Sequence, residues 1–384
     1  MLLALILRSA FRHKLRTLLT LLGLTVAVLA FGLLSTVVDA WYAGAESASN
    51  ARLVVRNSIS LVFPLPLAYR QKIRQIDGVR KITIANWFGG VYKEPKNFFP
   101  QFAVDAATYL DLYPEFVLSE AEHKEFLRDR KGAIVGSKLA ETYGLKLGDT
   151  LTLKGTIFPG QWDFVVRGIY TGRDAKTDVS QMLFQWEYLN ETMKRRVPRR
   201  ANQVGVYVVE VTDPSRVAEI SRNIDNEFRN SYAETLTETE KAFQLGFVSM
   251  TESIVVAIRL VSYLVIFIIL AVMANTMAMT VRERTAEYAT LKALGFGPTF
   301  VTLLIFGESL TIAVLGGLLG IVLTFPVASA FGQQMGTLFP VFVVSTDTVA
   351  LQAVCALSVG LISALFPAHR AARVNIVDGL RSMG

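Results

Sequence analysis

The sequence predicts a membrane protein with four transmembrane α-helices and a large α+β extracytoplasmic domain between helices 1 and 2. Three observations lead to this fold class. Of the 384 residues, 52% are hydrophobic and only 18% are charged, against about 25% charged residues in an average soluble domain. Four stretches are apolar over the roughly 20 residues that a bilayer crossing requires. The segment 42–253, by contrast, has the mixed composition of a globular domain.

The apolar stretches alternate with polar segments along the chain. A cleaved signal peptide is the alternative interpretation of the first stretch, but its apolar run exceeds the roughly 7–15 residues of a signal-peptide core. In order, we predict a basic N-terminus (1–16), helix 1 (17–41), the extracytoplasmic domain (42–253), helix 2 (254–281), a short loop (282–299), helix 3 (300–326), an outer loop (327–348), helix 4 (349–366) and a tail (367–384).

Basic residues predict the orientation of the spans, because Lys and Arg are retained on the cytoplasmic side. The loop 327–348 contains no basic residue, whereas the N-terminus, the loop 282–299 and the tail contain several. We therefore expect both termini and the loop 282–299 to be cytoplasmic. The basic residues are Arg8, Arg12, Lys14 and Arg16; Arg282, Arg284 and Lys292; and Arg370, Arg373 and Arg381. Their placement explains the net charge without nucleic acid as a partner.

The extracytoplasmic segment shows two β-α-β patterns, within 51–85 and within 203–228. Between them, at about 130–200, short alternating strands predict a β-rich insert. The segments 43–51 and 232–251 are compatible with helices that continue the first two spans outward. We expect a two-helix stalk there, with disordered linkers as the alternative.

The loop 282–299 carries charges of alternating sign on a helical repeat. Glu283 and Glu287 share one face, Gly295 ends the helix, and Pro298 opens the next one. A short amphipathic helix at the membrane face suits docking to a partner. A plain solvated turn that only fixes membrane topology is the alternative.

Three parts of the sequence resemble the FtsX-like permease domain of ABC transporters, a family typified by MacB, LolC and LolE. The loop carries Arg284, Glu287 and the run Leu291-Lys292-Ala293-Leu294-Gly295, and Glu308 follows inside the next span. The tail from Pro367 and the segment Gly132–Leu153 resemble the family's C-terminus and outer core domain. The family usually has Ile-Gly where this chain has Tyr288-Ala289, which affects the expected contacts of the loop.

The resemblance implies a mechanotransmission permease of the bacterial cytoplasmic (inner) membrane that works as a dimer. ATP and Mg²⁺ would be bound by a separate cytoplasmic ABC ATPase subunit, since this chain has no G-x-x-x-x-G-K-[ST] motif. No cofactor is expected in the chain itself. The partners it implies are the ATPase, a second permease copy or paralogue, membrane lipids and, as a further candidate, a membrane-fusion adaptor protein. The coupling loop would comprise Arg282, Glu283, Arg284, Glu287, Tyr288, Leu291, Lys292, Ala293, Leu294 and Gly295.

Other residues are candidates for contacts within the membrane or with partners. Glu308 is an intramembrane polar residue, expected in the helix bundle or, alternatively, at the interface. Gly316 and Gly320 form a G-x-x-x-G helix-packing motif. In the extracytoplasmic domain, Phe98 and Phe99 are expected to form an exposed contact for cargo or a partner, with the core as the alternative. In the tail, Arg370, Arg373 and Arg381 would contact the ATPase or lipid headgroups.

No catalytic or metal site is expected. The three histidines His13, His123 and His369 are far apart, and none has a metal-ligand spacing. The leading hypothesis is ATP-driven export or extraction of a hydrophobic, peptide or lipidated substrate. The alternative is an FtsX-like regulator of an extracytoplasmic cell-wall hydrolase, which would transport nothing. A membrane-anchored sensor without an ATPase is a third class, against which the loop signature argues.

Overall fold

The computed structural model describes residues 6, 10–335, 339 and 341–374. Arg381 of the predicted tail site therefore lies outside the described residues. The chain forms two compact units. We call residues 1–39, 252–334 and 342–384 the helical unit, and residues 40–251 with 335–341 the α/β unit.

Twelve α-helices and thirteen strands are present within the described residues. The helices are α1 (Lys14–Ser47), α2 (Tyr69–Arg74), α3 (Tyr109–Leu112), α4 (Glu120–Arg128), α5 (Ser137–Tyr143), α6 (Trp186–Arg196), α7 (Val217–Glu227), α8 (Glu240–Met250), α9 (Glu252–Glu283), α10 (Thr285–Ala293), α11 (Pro298–Met335) and α12 (Thr346–Ala372). The strands are β1 (Arg52–Asn57), β2 (Leu65–Pro66), β3 (Val79–Trp87), β4 (Gly90–Tyr92), β5 (Gln101–Val104), β6 (Phe116–Val117), β7 (Gly132–Gly136), β8 (Thr150–Gly155), β9 (Gly160–Gly172), β10 (Met182–Gln185), β11 (Gln203–Val204), β12 (Val206–Val211) and β13 (Thr235–Thr239).

Four helices of the described chain are long and apolar enough to cross a membrane, namely α1, α9, α11 and α12. The third of them is longer than the sequence analysis predicts. The prediction ends this span at residue 326, but α11 continues through Pro326 to Met335. Neighbouring helices in a membrane bundle can compensate for the backbone hydrogen bond that proline removes. The predicted outer loop 327–348 is correspondingly shorter.

The helical unit is held by small and polar residues as well as by aliphatic packing. Leu24, Met273, Ile312 and Ala356, one from each long helix, are buried in a common core. Between α1 and α12, Gln352 Nε2 donates a hydrogen bond to the Val28 carbonyl at 2.9 Å. Such polar contacts and close backbone approaches stabilise helix packing where no hydrophobic driving force acts between helices.

The glycine motif of α11 faces α1 within this unit. A Cβ atom added at Gly320 would lie 2.9 Å from the Thr25 carbonyl oxygen and 2.8 Å from Val28 Cβ. Gly246 in α8 has open space instead. We expect Gly320→Ala to lower the free energy of unfolding by about 1–3 kcal/mol through overpacking. The matched control Gly246→Ala should raise it by up to about 1 kcal/mol.

Equilibrium unfolding in mixed detergent micelles measures both changes. Equal effects of the two substitutions would contradict the close packing of α11 on α1.

The α/β unit is built on one long mixed sheet with the order β13-β1-β12-β3-β5-β10-β7-β9-β8-β4, and β6 pairs with β9. Pairings are antiparallel except β5 with β10 and β7 with β9. β8 alternates buried and exposed residues, as expected for a strand with one solvated face, whereas β7 is buried throughout. Short helices are capped locally. For example, Gly144, whose φ of +64° suits glycine, ends α5.

The predicted insert at about 130–200 differs from the structure. Its strands β7, β8 and β9 continue the same hydrogen-bonded sheet as β3, because β10 pairs with β5 on one side and with β7 on the other. The region also contains α5 and α6. It is a mixed α/β extension of the sheet, which β4 and β5 join from outside the predicted range.

The two segments next to the long helices form helices only in part. α1 extends to Ser47, as the stalk prediction requires. In the segment 232–251, however, residues Thr235–Thr239 form β13, which pairs with β1, and helix begins only at Glu240. The Trp41 Nε1 atom donates a hydrogen bond to Thr251 Oγ1 at 2.7 Å, which joins the two helical segments of this unit.

Candidate functional site

The loop after α9 forms a separate short helix rather than a continuation of the span. The backbone bends at Arg284, with φ −104° and ψ 16°, and α10 follows. Gly295 has a φ of +94°, which glycine adopts without strain, and it ends this segment before α11 begins at Pro298. The loop is thus a defined helical element and not a plain turn.

One face of α10 is part of the core of the helical unit. Tyr288 and Ala289 are fully buried, and Tyr288 belongs to a cluster with Val281 of α9, Leu304 of α11 and Ala368 of α12. Burial raises the pKa of the Tyr288 hydroxyl to about 12. Tyr288, which stands where the family usually has isoleucine, adds packing between α10 and the long helices.

A buried ion pair connects the loop to α11. Arg284 Nη1 donates to Glu308 Oε2 at 3.0 Å, and the two side chains are only 10% and 7% exposed. Arg284 Nε also donates to Glu287 Oε2 at 3.0 Å, and the guanidinium lies 5.4 Å from the centre of the Tyr288 ring. Burial alone would lower the pKa of Arg284. The neighbouring Tyr288, Glu287 and Glu308 outweigh this effect and raise the pKa, so the guanidinium stays charged.

Two ion pairs connect the N-terminal end of α1 to the same loop. Arg12 lies just before this helix, and Arg16 lies in its first turn. Arg16 donates both Nη atoms to the Glu283 carboxylate, each at 2.7 Å. Arg12 donates to Glu287. Burial would raise the pKa of Glu287, but the hydrogen bonds from Arg284 and Arg12 outweigh it and lower the pKa.

From the sequence, Arg12 and Arg16 are expected only to fix the membrane topology, and their ion pairs with the loop were not predicted. A matching signal exists, because the two arginines are four residues apart and so are Glu283 and Glu287.

Lys292 connects the loop to the end of α12. Its Nζ donates to the carbonyl oxygens of Ala372 at 2.8 Å and Val374 at 2.9 Å. A cation at this position stabilises the unpaired carbonyls of a helix C-terminus. With the Arg12, Arg16 and Arg284 pairs, this contact ties the loop segment to α1, α11 and α12.

The far end of the loop is exposed. Leu294 is 71% exposed and Phe296 is 43% exposed, and Ala293 and Gly295 are exposed beside them. Leu291 is half-buried and packs against the core cluster. Of the coupling residues predicted from the sequence, Ala293, Leu294 and Gly295 are therefore exposed. Glu287, Tyr288, Leu291 and Lys292 hold the loop in place.

The remaining predicted sites differ in their surroundings. Arg282, Arg370 and Arg373 are exposed, as a contact to an ATPase or to lipid headgroups requires. Phe98 is 48% exposed and lies near Trp87. The prediction for Phe99 is wrong, because its side chain is fully buried next to Tyr92 and Tyr143.

A buried charge cluster in the α/β unit was not predicted. Arg52, at the start of β1, donates from Nε to Glu240 at 2.7 Å and from Nη2 to Glu115 at 2.6 Å. Its guanidinium also lies 4.3 Å from the centre of the Tyr113 ring. Glu240 is the first residue of α8. Arg52 therefore fixes the root of α8 to the first strand of the sheet.

Comparison with known proteins identifies two family models along the chain. The MacB-like periplasmic core domain matches residues 17–227, and the FtsX-like permease C-terminal domain matches residues 259–376. An uncharacterized ABC transporter permease of Methanocaldococcus jannaschii is 23% identical over 403 residues, which cover 96% of this chain and 95% of that protein.

Two further likenesses cover part of the chain. The macrolide export ATP-binding/permease protein MacB of Sodalis glossinidius is 31% identical over 134 residues, which cover 35% of this chain and only 20% of that protein's length. The extracellular domain of the noncanonic ABC-type transporter YknZ from Gram-positive bacteria is similar with a TM-score of 0.36 and 12% identity, over 49% of this chain and 100% of that structure. Because the MacB-like model covers more than half of the chain and the FtsX-like model follows it, the chain belongs to the ABC transporter permeases of the MacB and FtsX type.

Proposed function

We propose that this chain couples ATP hydrolysis by a separate ATPase subunit to movements of its extracytoplasmic domain. These movements would drive export or extraction of a hydrophobic, peptide or lipidated substrate. The observation that carries the proposal is the dual character of the loop segment around α10. Its body is fixed to the long helices by buried ion pairs and core packing, while its end exposes Leu294 and Phe296.

The contacts of the loop segment around α10 would allow it to transmit force to the other helices of the helical unit. A push on the exposed end would reach α11 through Arg284 and Glu308, and α1 through Arg16 and Glu283. It would reach α12 through Lys292. α1 and α9 continue along the chain into the α/β unit, so their displacement is the route by which nucleotide-driven movement would leave the membrane.

The remaining parts of the proposal rest on composition and family. The clustered basic residues favour a cytoplasmic position for both termini and the loop. The ATPase would supply the ATP and Mg²⁺ sites. A second permease copy or paralogue would complete the transporter, and a membrane-fusion adaptor would join it in an exporter. An ATPase that associates together with a cell-wall hydrolase would instead favour the regulatory alternative.

Purification of the native complex in mild detergent tests the proposal. We expect a P-loop ATPase to co-elute with the chain in roughly equal amounts. Leu294→Asp should reduce the bound ATPase and the ATP hydrolysis of the eluate at least about tenfold, because a charge replaces a central apolar contact. Leu147→Asp is the matched control, since Leu147 is 54% exposed but lies in the α/β unit.

Two results would contradict the proposal. One is the absence of any ATPase from the wild-type complex. The other is an ATPase that binds Leu294→Asp and Leu147→Asp equally well, which would remove the loop from the interface.

A further inference from the structure

A groove runs between α1 and α9 beside the ion pairs of the loop, and the proposed coupling to an ATPase does not involve it. Its volume is about 640 Å³. The α1 side contributes His13, Lys14, Leu15 and Leu19, and the α9 side contributes Val272 and Thr276. All of these residues belong to the helical unit.

The body of the groove is apolar and faces outward from the helices. Leu15 is 72% exposed, Leu19 60% and Val272 48%. Within a membrane, side chains this exposed on spanning helices contact hydrocarbon or another apolar helix. The floor contains Thr20, which is buried and donates its hydroxyl to the Arg16 carbonyl at 2.9 Å, so it presents no unpaired polar group.

The mouth of the groove is basic. Arg16 and Arg12 are matched by the carboxylates of Glu283 and Glu287. Lys14 is exposed and has no ion-pair partner within residues 10–335, 339 and 341–374. His13 lies beside it, half-exposed, with its Nε2 4.0 Å from Glu283. After the two pairs are formed, one full positive charge remains at the edge of an apolar channel.

We infer that this groove binds an anionic phospholipid. One acyl chain would lie along Leu15, Leu19 and Val272, and the phosphate would be neutralised by Lys14, with His13 as a further hydrogen-bond donor. A basic pocket between transmembrane helices at the cytoplasmic face is a known form of lipid-headgroup site. Charge complementarity favours this occupant over an apolar helix, which would leave Lys14 unmatched.

Native mass spectrometry of the full-length chain tests the inference without the ATPase, so its outcome is independent of the proposed function. The detergent-purified, delipidated chain is incubated with equal amounts of phosphatidylglycerol and phosphatidylcholine that have the same acyl chains. We expect phosphatidylglycerol to be retained about fivefold more than phosphatidylcholine, the contribution of one basic residue near an anionic headgroup. Lys14→Gln should abolish this preference.

A pair of neighbouring substitutions tests the apolar part. Leu19→Trp fills the groove and should remove the bound phosphatidylglycerol. Leu18→Trp is the matched control and should retain it, because Leu18 is 54% exposed but does not line the groove. Each variant is first compared with wild type by elution volume and thermal unfolding, and only variants that match wild type are used.

Three outcomes would overturn the inference. Wild type could show no preference for the anionic lipid, or Lys14→Gln could retain it. Equal losses in Leu18→Trp and Leu19→Trp would indicate unspecific lipid around the helices. A lipid-free dimer that Leu19→Trp dissociates would assign the groove to a second copy of the chain.

Discussion

Glu308→Leu is expected to destabilise the helical unit by about 3–5 kcal/mol, because the buried Arg284 guanidinium loses the buried carboxylate of Glu308 and retains the more exposed carboxylate of Glu287. Arg284→Met should have a similar cost, because the buried Glu308 carboxylate then loses the Arg284 guanidinium. The double variant should be much closer to wild type than the sum of the two, since it leaves neither charge unpaired. The two side chains are 3.0 Å apart and almost inaccessible to solvent.

The free energy of unfolding in mixed micelles, measured for the four members of this cycle, tests the prediction. The control is Lys72→Met, which breaks the exposed pair with Glu227 and should cost less than about 1 kcal/mol. Strictly additive effects of Arg284→Met and Glu308→Leu would mean that the two groups do not act as a pair.

Arg52→Met is expected to cost the α/β unit about 3–5 kcal/mol, since it leaves the buried carboxylate of Glu240 without its partner. Arg52→Lys should recover only part of this loss. A lysine cannot donate to Glu240, Glu115 and the Leu112 carbonyl at once, as the arginine does. Denaturant unfolding of the full chain, followed by tryptophan fluorescence, measures the change.

The matched control for Arg52 is Arg80→Met. Arg80 pairs with Glu210 across 3.5 Å, but its side chain is 62% exposed, so the expected cost is within about 1 kcal/mol. If Arg52→Met and Arg80→Met have the same small effect, Arg52 does not fix α8 to the sheet.

The sequence predicted the elements whose formation depends on residues that are close together in the chain. Long uncharged runs are enough to identify the four spanning helices. In the loop, Gly295 and Pro298 mark the helix end and the next helix start.

Contacts between distant parts of the chain were not predictable in this way. β13 forms because residues 235–239 pair with β1, from which they are separated by 178 to 186 positions in the chain, and this pairing outweighs the helix propensity of the segment. The single sheet depends on β10 meeting both β5 and β7. Among the long-range charge pairs, those of Arg12 with Glu287 and of Arg16 with Glu283 have a signal in the sequence, which is the equal spacing of the two arginines and the two glutamates. Nothing in the sequence near Arg52 indicates Glu240 as its partner.

The central claim is that nucleotide-driven movement passes through α10 to the extracytoplasmic domain. Distances between spin labels on the two permease copies of the purified complex test it most directly. Cys355 is the only cysteine, so Cys355→Ala gives a background for Tyr232→Cys at a position that is 97% exposed. We predict that the distance changes between the nucleotide-free and ATP-bound complex, and that Glu308→Leu abolishes the change while the ATPase stays bound. An unchanged distance in a complex that hydrolyses ATP would contradict the claim.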